Sequence, residues 1–314
     1  GYYSGDNWTE IFFFDKPVKL ISEGGPTVTT LDGRGIDRGL HFRDLTDNTM
    51  LVDGFTITNC VGELIGAVNF HENSSGTLRN CIITNCRVTG TYPPIPGEGG
   101  GLRIWGSSPL IENVIIRDCH AQQGGGCNIL VNADPIFKNV TIENCSGAGL
   151  MAAEFCNPYF EDCKFINNTP SDLSWAAGVC IYVDSQGHFV RCLFADNNNS
   201  LHTGGGVRIM DNTHTVFDQC MFINNSANQL AAGIMVHENS NPEFNYCTIA
   251  GNSAGVSGDG IGVFVNSAPV FNNCIIWQPG SELHAESGAT ATFNYCNVST
   301  SIGGTGNYNA DPMF

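Results

Sequence analysis

Apolar and polar positions recur along this chain as a repeated phrase. PYFEDCKFINNT (158–169) returns almost unchanged as TVFDQCMFINNSA (215–227). With the cysteine of that phrase as an anchor, equivalent positions fall at Phe55, Cys81, Val114, Val140, Cys163, Cys192, Cys220, Cys247, Cys274 and Cys296, at spacings of 22 to 33 residues. Three residues before the anchors stand Val52, Leu78, Ile111 and then seven phenylalanines, from Phe137 to Phe293. Two residues after them stand Ile57, Ile83, Ile116, Ile142, Phe165, Phe194, Phe222, Ile249, Ile276 and Val298. Apolar columns at such a period are the mark of a solenoid.

Five residues after the anchors the chain reads Cys60, Cys86, Cys119 and Cys145, then Asn168, Asn197, Asn225 and Asn252. Cysteine suits that place as a small hydrophobe; asparagine suits it because its amide can bond to the same residue one coil away. A second phrase follows most anchors by about thirteen residues, as GGGLRIW, GGGCNIL, AGVCIYV, GGGVRIM, AGIMVH and GIGVFV. Small residues before an alternating run predict a half-buried strand, with Leu102/Ile104, Val207/Ile209, Ile234/Val236 and Ile261/Val263 inward. Pro109, Pro135, Pro158, Pro242 and Pro269 each precede an anchor by five and belong to turns. No helical periodicity interrupts the array. Several short strands per ~27-residue turn, without hairpin signals, predict an all-β parallel β-helix of about ten coils, a rod on the order of 50 Å long at ~4.8 Å per coil.

The repeats resemble those of right-handed parallel β-helix proteins of bacterial surfaces, within the pectate-lyase-like superfamily. The phrase at Gly204–Val207 with FxxN at Phe165–Asn168, Phe194–Asn197 and Phe222–Asn225 is similar to repeats of chlamydial polymorphic outer-membrane proteins. LISEGGPTVTTLDGRG (20–35) and VDGFTITNC (52–60) resemble the opening coils of secreted bacterial β-helix proteins. The resemblance implies right-handed coils, residues 1–314 as a single β-helix domain, and an extracellular or cell-surface place. It implies no one activity, because such folds serve lyases, hydrolases, epimerases, adhesins and stalks. Neither end carries the usual cap, so a fragment of a longer protein or a subunit that stacks end to end is expected.

Composition removes some partners. Thirty acidic against thirteen basic residues leave a net charge of −17, which disfavours nucleic acid. No apolar run reaches the ~20 residues of a membrane span. Fourteen cysteines show no CxxC pair and no zinc spacing, so reduced cysteines packed as small core residues are expected, with Cys180 alone pointing outward. Sequons at Asn7, Asn139 and Asn224 carry little weight in an Asn-rich repeat.

The outward positions of the Gly-rich strand are where chemistry is expected. Trp105, Tyr182 and Phe264 would stack on sugar rings, and Arg103 and Arg208 would pair with uronate carboxylates. Asp211, His237 and Glu238, on adjacent coils beside Arg208, make the best catalytic cluster: a base for a sugar C5 proton with Arg208 or Ca²⁺ neutralising the acid group. A hydrolase would instead use Asp184 with Asp211 or Glu238 at about 5–9.5 Å. The structural alternative is that HEN occurs twice, at His71–Asn73 and His237–Asn239, as a turn-forming phrase. The insertion TGTYPPIPGEGGG (89–101) projects a Pro-rich loop beside this face. The reading that results is an adhesive, scaffolding or filament-forming module in contact with a glycan or protein surface, with no dedicated metal site. A polysaccharide lyase or epimerase acting on an acidic glycan is the competing reading.

Overall fold

A computed structural model describes residues 11–14, 18–36, 38–44, 49–90, 97–172, 174–278, 281–300 and 302–313. The Asn7 sequon and residues 91–96 of the insertion lie outside the described residues. The chain coils through three sheets of eleven strands each, and every strand pair in them is parallel and joins successive coils. In one coil the chain passes through Leu40–Arg43, Leu51–Asp53 and Thr56–Thr58, which begin or extend what we term sheets 1, 2 and 3. The columns read from the sequence are the sheet registers: Phe160 pairs with Phe189, and Phe194 with Phe222.

Each strand is only two to five residues long, so it has one or two inward side chains and depends on the coils beside it. The inward residues form one continuous core. Phe137, Phe160, Phe189, Phe217, Phe244, Phe271 and Phe293 stack in sheet 2 with ring centroids 4.4–5.0 Å apart. An aromatic pair of this kind adds about 0.5–1.5 kcal/mol beyond its burial. The amide column also forms: Asn168 Nδ2 donates to Asn197 Oδ1 at 3.0 Å, Asn197 to Asn225 at 2.9 Å and Asn225 to Asn252 at 3.0 Å. These amides are buried yet satisfied, which is the condition for keeping polar groups inside.

Corners are turned by residues with left-handed backbone. Between sheets 2 and 3 they include Asn80, Asn113, Asn139 and Asp162; after sheet 3 they include Asn85, Asp118, Asn144 and Asn167. Asn and Asp tolerate this conformation better than other side chains, which accounts for the Asn-rich composition. The expected solenoid of about ten coils is what the described residues form, and one strand pair in sheets 2 and 3 precedes the first anchor. Lys19–Ile21 and Thr30–Asp32 pair with Leu51–Asp53 and Thr56–Thr58, and the longer corner between them removes the five-residue spacing that the anchor columns rely on.

Candidate functional site

The outer face of sheet 1 carries the residues singled out from the sequence. Register places His41, Asn69, Arg103, Asn128, Met151, Cys180, Arg208, Met235 and Gly262 in one column. The face is not open. The Gly-rich turn before each strand folds back over it: at Gly99 and Gly124, with φ of +61° and +59°, an added Cβ would stand 2.8 Å from the Cβ of Arg103 or Asn128. Glycine meets that approach with least strain, although Ala231, with φ of +59°, holds the equivalent place before Met235.

Three expectations change as a result. Cys180 points away from the central core but is fully buried, packed with Ala148, Met151, Ala176 and Tyr182; burial pushes its thiol up to about 12. Arg103 is committed: its Nε donates to Glu98 Oε2 at 2.9 Å, its guanidinium lies 4.4 Å from the Trp105 ring centroid, and it is 7% exposed. Burial raises the Glu98 carboxyl even though Arg103 opposes the rise. Phe264 is 3% exposed, its ring between those of His237 and His284. Trp105 and Tyr182 remain half-buried.

The predicted cluster does come together. Asp211 and Glu238 occupy equivalent corner positions of neighbouring coils, and their carboxyls are within hydrogen-bonding reach. Burial, then the hydrogen bond and charge of Glu238, raise Asp211 to about 6; Glu238, receiving that bond and facing His237, is lowered. His237 Nδ1 lies 3.4 Å from Glu238 Oε2. Arg208 donates to Thr203 Oγ1 at 3.2 Å and to the Trp175 carbonyl at 3.4 Å. Its charge favours ionised Asp211 but does not offset the other two effects. Asp184 Oδ1 accepts from Asn212 Nδ2 at 2.6 Å. Among the described residues, no three His, Cys, Asp or Glu side chains converge as a metal site.

The left-handed backbone at Asp211 and Glu238 is not a mark of catalysis. Val131, Val183 and Val265 hold the same corner position with the same backbone sign, so the strain belongs to the coil. The first HEN copy is built likewise: Glu72 follows Asp44 in the corner column, His71 Nδ1 lies 3.6 Å from Glu72 Oε1, and the Trp105 ring stacks 6.1 Å from His71. Sequence reasoning missed Glu98, Trp175 and Thr203, which reach the face from the segments leading into sheet 1. Glu98 was legible as the acidic residue of the insertion; the other two had no periodic signal.

The described family "right handed beta helix region" matches residues 45–203 and 169–312. No curated protein and no solved structure matches the chain.

Proposed function

The chain belongs to the right-handed β-helix family, and from that premise we propose that it is an extracellular or surface-exposed bacterial module that adheres to an extended, repetitive partner, a glycan being the best fit. The observation that carries this reading is the duplication of one local arrangement. His71–Glu72 with Trp105, and His237–Glu238 with Phe264, hold equivalent register positions six strands apart in the same sheet, on the order of 29 Å at ~4.8 Å per strand. An active site is needed once. A contact written twice along a straight rod suits a ligand that repeats, because the second contact forms at high effective concentration once the first is made. End-to-end stacking of subunits would lengthen the same array.

The test is binding of acidic and neutral oligosaccharides of increasing length. Affinity should rise steeply once an oligomer spans about 29 Å, and His71→Ala or His237→Ala should each remove that rise. Equal affinity for short and long oligomers would overturn the reading.

A second reading, a lyase or epimerase on an acidic glycan, is favoured by the raised Asp211 carboxyl, set against Glu238 beside Arg208 and His237. A group raised to about 6 is suited to proton transfer near neutral pH. New chain ends from one polysaccharide, abolished by Asp211→Ala in a folded rod, would establish it.

A further inference from the structure

Ten of the fourteen cysteines stand in two unbroken columns. Cys163, Cys192, Cys220, Cys247, Cys274 and Cys296 follow one another at the corner into sheet 3; Cys60, Cys86, Cys119 and Cys145 follow one another at its far end. All are buried, and none is in a disulfide. The sulfurs of the longer column are held alike. Each Sγ–H lies 3.3–3.5 Å from the carbonyl two residues earlier. Each also lies 3.3–3.7 Å from the carbonyl of the phenylalanine in the preceding coil. Identical placement on successive coils sets the sulfurs on a line at the strand spacing of ~4.8 Å.

That interval decides their chemistry. A disulfide needs Cβ atoms about 3.5–4.5 Å apart, and side chains held parallel at ~4.8 Å do not meet it. A cation bound linearly between two sulfurs at about 2.3 Å each needs them about 4.6 Å apart, taking that thiolate–metal length as typical. Thiolates select soft metals, copper(I) among them. We propose that the two columns bind soft monovalent cations of the copper(I) class, one in each gap between successive sulfurs.

Each cation binds with loss of one thiol proton to solvent, so one S–H bond is exchanged for sulfur–metal bonds and no oxidant is required. One positive charge arrives for each thiolate formed, so the filled column stays neutral, as its apolar surroundings demand. Only two donors are needed per cation, which is why no cluster of three marks the site. The remaining cysteines, Cys81, Cys127, Cys156 and Cys180, have no cysteine in the equivalent place of either adjacent coil; they offer no gap.

The longer column has five gaps and the shorter has three. Silver(I) nitrate in chloride-free buffer is the probe, with cations counted by native mass spectrometry and the fold followed by circular dichroism. Cys163→Val, at the end of the longer column, should lose one cation. Cys220→Val, in its middle, should lose two, because one sulfur serves two gaps. Valine is compatible with this column, since Val114 and Val140 occupy it. Cys119→Val repeats the test in the shorter column, whose three gaps fall to one. Retained β signal, one proton released per cation and the two-to-one difference are the expected results. Equal losses in end and middle variants would overturn the proposal, as would uptake only after unfolding in urea.

Discussion

His-Glu-Asn is written at 71–73 and again at 237–239, in equivalent places, yet the two copies are electrostatically different. At the first copy Arg43 donates to Glu72 Oε2 at 2.7–2.8 Å and lies 3.6 Å from Asp44. The place of Arg43 in the second copy is held by Met210, and Arg208 stands one column away, directed to Thr203 and the Trp175 carbonyl. The first acidic corner is thus compensated by a guanidinium, whereas at the second, burial and the charge of Glu238 raise the Asp211 carboxyl to about 6. The nearest buried arginine differs as well: Arg103, beside the first copy, is sealed against Glu98, while Arg208 is half-buried among neutral acceptors. The same phrase therefore sets position, and the residue one coil away sets the chemistry.

The largest effect that separates the two copies should come from the buried ion pair. Glu98→Ala leaves Arg103 uncompensated and should cost about 3–5 kcal/mol in denaturant unfolding; Arg208→Met at the second copy should cost under about 1 kcal/mol. Leucine at both Glu98 and Arg103 should recover most of the loss. A next, smaller effect tests the missing cation. Met210→Arg should place at the second copy what Arg43 supplies at the first, and bring Asp211 down from about 6 by roughly one unit or more, read from its carboxyl resonance against pH.

The smallest expected effect is on stability against pH. Asp211 holds its proton more tightly folded, at about 6, than unfolded, at 3.8. The folded chain therefore binds more protons across that window, and stability falls as pH rises through it. Asp211→Asn should be indistinguishable from the parent below about pH 4 and more stable by on the order of 1 kcal/mol above about pH 6, after discounting for solvent screening and for the opposite shift of Glu238. A constant difference at all pH values would mean that Asp211 does not hold the proton.

Much of this molecule is legible without coordinates, because a solenoid turns sequence period into spatial stacking. Phe160, Phe189 and Phe217 are recognisable as one column, and Asn168, Asn197 and Asn225 as a ladder, since each coil repeats the backbone of the last. Alternation about Ile209 and Val236 gives the inward residues of sheet 1 for the same reason. The coil before the first anchor was visible only through the resemblance of residues 20–35, because its long corner breaks the spacing of the columns. The outer face escaped in part because alternation tells which way a side chain points from its strand, and says nothing of what lies above it. Cys180 and Phe264 point outward and are buried all the same, beneath turns that only the folded chain lays over them.

The candidate site divides along the same line. That Asp211, His237, Glu238 and Arg208 share one edge follows from register, which the repeat alone dictates. That Asp211 and Glu238 shift each other's ionisation in opposite directions, that Arg103 is paired with Glu98, and that ten buried thiols stack without disulfides depend on separations of a few ångströms between side chains. Charge interactions, hydrogen bonds and sulfur chemistry all change steeply over such distances. The sequence by itself determined which residues stack; only the tertiary structure decided which of them touch, which are covered, and which keep their charge.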